Sequence, residues 1–227
     1  MGFVQAVQNV GIGNTSATLP SSVTGGNTIV VFADSILAQG TITSVTDNKG
    51  NAYTMVGSFT VLAGAQQHIV QVWVATGATG RSSFAVTSHS GGAFTLLTVS
   101  EYGSTAIFVF DKSATAANAS STSQSVGPTG TTLSADELLL CYIATVTGGA
   151  QTFTAGAGYT KRASTTNDPI FGDNFAIEDQ IVSSTGAYSA SWTLSSATGC
   201  ALVLVTFELT TPAPPPTAGR VTVCIMQ

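Results

Sequence analysis

Charge is scarce in this chain. Asp, Glu, Lys and Arg make up 7% of its 227 residues, against about 25% in ordinary globular domains. Six Lys plus Arg against eleven Asp plus Glu leave a net charge of -5 and a sequence pI of about 4.6. That balance carries no electrostatic footprint for DNA or RNA and no attraction to anionic membranes. Solubility must come from Ser, Thr, Asn, Gln and the backbone. Long apolar runs are missing as well: the longest aliphatic stretch, Ala201–Val205, is far too short to span a bilayer. The opening "MGFVQAVQNVGIG" has neither a basic segment nor a long apolar segment, and no Ser or Thr follows Gly2 at the myristoylation spacing. A chain used without classical export, or a mature chain, is expected. Cysteine is limited to Cys141, Cys200 and Cys224. The odd count leaves at least one without an internal partner, and the spacing matches no zinc motif. Cys141 and Cys200 are expected as small core residues, with a disulfide between them open but not indicated.

Helical periodicity is also lacking. What is present is a succession of short Val-, Ile-, Thr-, Phe- and Tyr-rich runs separated by Gly, Ser, Asn and Asp. Strands are expected at Val4–Val10, Thr28–Ser35, Ile42–Asp47, Tyr53–Val61, His68–Ala75, Ser83–Ser88 and Phe94–Tyr102. Further strands are expected at Ile107–Ser113, Gln124–Val126, Glu137–Thr145, Thr152–Phe153, Tyr159–Ser164, Phe175–Val182, Tyr188–Leu194 and Cys200–Leu209. Runs apolar at every position, such as "TIVVFA" and "ELLLCYIA", belong at the centre of a sheet covered on both faces. Asn48, Lys49, Gly50 and Asn51 read as a hairpin turn.

An internal repeat runs through the chain. "GGNTIVVFADS" matches "SADELLLCYIA", and "GNAYTMVGSF" matches "GAGYTKRAS", pairing Tyr53 with Tyr159. A third block pairs Phe84 with Trp192, and "FTLLTVSEY" matches "CALVLVTFEL", pairing Glu101 with Glu208. Four blocks in one order predict two related halves, about residues 1–113 and 124–209. The expected fold is all-β: a two-sheet, jelly-roll-like β-sandwich over residues 1–209 with a shared core, two separate small sandwiches being the alternative. The joining segment "DKSATAANASSTSQSVGPTGTTLS" reads as polar and loop-like, with room for a strand within it.

These blocks, together with "VQVWVATGATG", "IEDQIV" and "SWTLSS", resemble a β-sandwich module of bacterial surface and phage structural proteins. The resemblance covers roughly residues 1–209. It implies a structural, adhesive or glycan-facing role and supplies no catalytic residues.

Candidate chemistry is thin. His68 and His89 are the only candidate bases, and no G-x-S-x-G surrounds a serine. Glu178 and Asp179 are adjacent and so point to opposite faces of a strand. Glu101 and Glu208 could meet across the repeat axis as a carboxylate pair, although exposed strand ends explain both more simply. The loop "TNDPIFGDN" gathers Asn167, Asp168, Asp173 and Asn174, whose oxygens suit a loop or glycan contact or a calcium ion, although turn formation explains the same residues more simply. Trp73, Tyr53, Tyr159 and Trp192 are the aromatics a sugar platform would need. No catalytic, cofactor or metal site is expected.

After Leu209 comes "TTPAPPPTAG", a stiff extended spacer at about 3.1 Å per residue. "RVTVCIMQ" then alternates Val221, Val223 and Ile225 against Thr222, Cys224 and Met226. An unpaired strand of this kind is an aggregation hazard, so it should be paired. The organisation expected is a sandwich (1–209), a spacer (210–219) and a strand arm (220–227). The arm, through Val221, Val223, Cys224, Ile225 and Met226, would add to a neighbouring copy or another structural protein, with return to its own sheet edge or a disordered end as the alternatives. The reading that follows is a non-enzymatic virion protein (coat, decoration or fibre subunit), with a lectin-like adhesive module of a bacterial surface as the alternative.

Overall fold

The computed structural model describes residues 2–36, 40–103, 107–145, 149–170 and 172–210. The spacer beyond Thr210 and the expected arm residues Val221, Val223, Cys224, Ile225 and Met226 lie outside the described residues.

The fold is an all-β sandwich of antiparallel strands. In the first part of the chain these are β1 (Gly2–Ile12), β2 (Thr15–Thr18), β3 (Thr28–Ile36), β4 (Ile42–Asp47), β5 (Thr54–Ala63), β6 (Gln66–Ala75), β7 (Ala85–Ser90) and β8 (Phe94–Gly103). The rest are β9 (Ile107–Val126), β10 (Asp136–Thr145), β11 (Phe153–Ala155), β12 (Thr160–Thr165), β13 (Phe175–Ser183) and β14 (Ala190–Thr210). One five-stranded sheet runs β1-β8-β3-β6-β5, and a second sheet runs β11-β14-β10-β13-β12 with β9 also on β14. The second sheet contains the order β9-β14-β10-β13-β12, which corresponds to the first strand for strand. A three-stranded sheet, β2-β7-β4, covers the outside of the first. On the second sheet the same role falls to the far end of β9, the start of β14, and β11.

Alternation along the strands explains the layering. In β3, Val30, Phe32 and Ile36 face the second sheet, while Ile29, Val31 and Ala33 face the three-stranded layer. In β10, Leu138, Leu140 and Tyr142 face the first sheet, while Leu139, Cys141 and Ile143 face outward into a third core with Trp192 and Leu202. Both faces of these strands are apolar, so both must be covered. The result is four layers and three cores. The five-stranded first sheet and the six-stranded second sheet pack face to face, and each is covered by a small outer layer, that of the second formed by its own strand ends and β11. The shared core and the two small sandwiches weighed from the sequence therefore coexist.

The sheets stack with β1 against β12 and β5 against β9. At the centre Phe32 and Tyr142 stack, ring centroids 5.8 Å apart and 18° from parallel. They occupy equivalent positions: Phe32 lies opposite Val72 and Thr98, and Tyr142 opposite Ile177 and Val203. Another matched detail ties the corners where strands turn into the outer layers. Asn9 Nδ2 donates to the Ser16 carbonyl at 2.6 Å, and Asn118 Nδ2 to the Ser125 carbonyl at 2.8 Å.

The expected hairpin at residues 48–51 forms. Asp47 Oδ1 accepts from the Lys49 and Asn51 amides, and Gly50 takes φ of 80°. The joining segment differs from expectation. Residues 107–126 form one strand of 20 residues, β9, paired with β14. Residues 107–113, expected to close the first half, thus belong to the second sheet. The physical reason is that β9 lies at a sheet edge. A half-exposed edge strand tolerates the Ala, Ser and Thr that resemble a loop in sequence. The short strand β2 was not expected, and the two last expected strands are one continuous strand, β14.

Phe32→Ala empties the centre of the shared core. We expect a loss of about 3–5 kcal/mol, the usual cost of truncating a buried Phe. Urea unfolding followed by intrinsic fluorescence and by far-UV circular dichroism should report this loss as one cooperative transition.

Candidate functional site

The polar groups that the sequence offered for chemistry are concentrated inside. Asp34 lies on the inner face of β3, and His68 begins the buried part of β6. Their strands pair, and His68 Nδ1 lies 2.8 Å from Asp34 Oδ2, both side chains fully buried. Tyr142 OH, from the opposite sheet, donates to the same oxygen at 3.1 Å. One carboxylate thus joins the two sheets. Among the described residues His68 Nε2 and Asp34 Oδ1 have no hydrogen-bond partner. Burial works against charge on His68, but Asp34 and the nearby Asp173 outweigh it, so the imidazole holds its proton above the ordinary value.

A second bridge crosses the same interface. Tyr102 OH from β8 donates to Asp179 Oδ2 on β13 at 2.9 Å. Arg162 Nε on β12 donates to Asp179 Oδ1 at 2.7 Å, and its guanidinium lies 4.5 Å from the Phe3 ring centroid. Gln8 spans the sheets too: its Nε2 donates to Thr98 Oγ1 at 2.9 Å, and its Oε1 accepts from Thr165 Oγ1 at 3.0 Å.

The remaining candidates are placed as follows. Glu101 faces the outer core of the first half, where it accepts from Gln5 Nε2 at 2.5 Å, Asn27 Nδ2 at 2.6 Å and the Thr24 amide at 2.9 Å. Glu208 lies across the ladder from Glu137 in the second sheet, so Glu101 and Glu208 are not brought together as a pair. By register Tyr102 corresponds to Phe207, facing Thr28 and Leu138 respectively, so Glu101 corresponds to Thr206 rather than to Glu208. Glu178 and Asp179 face opposite sides of β13, as their adjacency requires. Glu178 Oε2 accepts from the Gly156 amide at 3.0 Å in the outer core of the second half. His89 is held near the surface by Thr46 Oγ1 at 2.7 Å.

The Asx loop is built as a turn. Asp168 Oδ1 accepts from the Ile170 amide at 2.8 Å and Oδ2 from the Asp173 amide at 2.5 Å. Asn174 Oδ1 accepts from the Asn167 and Gln151 amides, and its Nδ2 donates to Thr145 Oγ1 and the Gly149 carbonyl. Asp168, Asp173 and Asn174 are buried, and Asn167 alone of the four is exposed. Among the described residues no cluster of His, Cys, Asp and Glu has a metal-holding arrangement. The aromatics also turn inward. Trp192 is 1% exposed, and Trp73, Tyr53 and Tyr159 are half-buried against the outer cores. Cys141 and Cys200 are free and buried. Cys141 lies opposite Leu204, four residues along β14 from Cys200. That is about 13 Å at 3.3 Å per residue, too far for a disulfide.

What this arrangement can do chemically is hold protons. Burial pushes Glu178 up to about 8, Glu137 up to about 7, and, with help from Asp168, Asp173 up to about 6. Between about pH 4.5 and 8 the folded chain therefore keeps protons that the unfolded chain has released. Stability contributed by these groups and by His68 is fully present in mild acid and is lost as pH rises through the folded values. We expect the urea midpoint to fall steadily from pH 5 to pH 9. Glu178→Gln should flatten the upper part of that slope, read from midpoints across the pH series. Comparison with known protein families, with curated proteins and with solved structures finds no match.

Proposed function

We propose that this chain is a non-enzymatic structural subunit of a virion, in a coat, decoration or fibre, assembling through its sandwich and through a strand contributed by residues 220–227. The observation that carries the reading is the inward commitment of its chemistry. The dyad Asp34–His68 is sealed between the sheets and bonded to Tyr142. Glu101 serves three internal donors, and the Asx loop satisfies its own backbone. What faces outward is largely uncharged. A charge-poor surface suits a repetitive assembly, because many identical copies pack with little mutual repulsion.

A glycan-facing role would call for aromatic faces open to solvent beside amide and carboxylate groups. The four candidate aromatics pack against the cores instead, which favours the structural reading.

Deletion of residues 211–227 tests the role of the tail. Light scattering on a sizing column should show the intact chain assembling and the shortened chain at lower mass, with unchanged far-UV circular dichroism. Equal masses for the two would remove the tail from the assembly mechanism.

A further inference from the structure

The two flanks of the stacked sheets differ in how their edges are defended. On one flank β1 lies against β12. There Lys161 and Arg162 sit on a strand of six residues broken by a bulge, and Arg162 covers Phe3. Short length, bulges and charge are the ordinary guards of a sheet edge. On the other flank β5 lies against β9. Neither β5 nor the stretch of β9 from Ser113 to Val126 contains a charged residue or a proline. From Ser113 to Asn118, β9 pairs with β14 without a register break, Val205 through Cys200 opposite. Its other edge has no ladder partner among the described residues. The side chains of this run are small, and Thr115 and Ala117 are exposed. Large apolar side chains are exposed on the same two strands: Val109 at 43%, Met55 at 45% and Leu62 at 62%.

We propose that this flank docks a second copy of the chain, β9 against β9, antiparallel about a two-fold axis normal to the sheet. The second sheet then continues from one copy into the next. Such an interface is self-complementary, as two-fold contacts must be. Its charge pattern allows it. The nearest charges, Asp111 and Lys112, are already paired with each other at 2.5 Å. A register centred on Thr115 sets them opposite Ala119 and Asn118 of the other copy, and one centred on Ala116 sets them opposite Ser121 and Ser120. In neither does charge meet like charge, and the small side chains let the backbones approach to ladder distance. The inference rests on reading the chain as an assembly subunit, but through a contact separate from residues 211–227.

The test uses the full chain. Thr115→Lys with Ala117→Lys places lysine across from lysine in either register. In the one centred on Ala116 the two substituted positions face each other, and in the one centred on Thr115 the first of them faces its own counterpart. Both positions are exposed. Sedimentation velocity should show the unaltered chain as a dimer or a multiple of it, and the double variant at half that mass. An unchanged thermal midpoint at monomer-forming concentrations would show that the fold is kept. In a full chain carrying Thr115→Cys and Cys224→Ser, a short bismaleimide should yield a covalent dimer, Cys141 and Cys200 being buried. Equal masses for the chain and its lysine variant, together with no cross-linked dimer, overturn the proposal. If deleting residues 211–227 lowers the mass while the lysine pair does not, the edge contact fails and the tail contact stands. If the lysine pair alone lowers the mass, the edge stands without the tail.

Discussion

Everything in this molecule follows from strands that are apolar on both faces. β3, β8 and β10 carry no solvent side along most of their length, and β14 carries none from Cys200 to Phe207. A sheet of such strands cannot rest on a single partner, because one face would remain against water. Two of them pressed together solve half the problem, and the outer layers solve the rest. The chain reaches those layers economically. β9 and β14 bend over their own sheet, while the first half uses separate strands for the same purpose.

Burial on that scale sets the terms for every polar side chain inside. A carboxylate between two sheets must bring its partners or keep its proton. Asp34 and Asp179 do the former, each with a partner from its own sheet and a tyrosine from the opposite one, so their bonds also align the halves. Glu137 and Glu178 do the latter. The few charges this chain possesses are therefore largely structural, and its exterior is left to hydroxyls, amides and methyl groups.

The sequence made the central strands plain, since runs such as "TIVVFADSI" and "LLLCYIA" have no polar face to hide. It made the Asp47 and Asp168 turns plain as well, because Asx side chains announce where the backbone needs acceptors. β9 was hidden because an edge strand lined with Ala, Ser and Thr lacks the alternation that reveals strands. β2 was hidden by its length of four residues. The Asp34–His68–Tyr142 bridge carried no signal of spacing, since its members come from three strands and two sheets. The one hint was an acid inside an otherwise apolar run, which in a buried strand implies a partner elsewhere. The matching of Glu101 with Glu208 failed because the repeat blocks were paired two residues out of register: along the unbroken β3–β8 and β10–β14 ladders Glu101 falls with Thr206.

The stacked pair at the centre also decides who can pair with whom. Phe32 and Tyr142 are equivalent positions, yet only Tyr142 carries a hydroxyl, and only the strand of Phe32 carries the acid that receives it. By the same register Asp34 corresponds to Ala144. Two first halves placed face to face would set a buried carboxylate against a bare phenyl ring. Two second halves would leave a buried hydroxyl with no acid to meet. Each half is thus an incomplete mate for its own kind and a complete one for the other. The Asp34–Tyr142 bond, like the Tyr102–Asp179 bond, pairs unlike halves of one polypeptide.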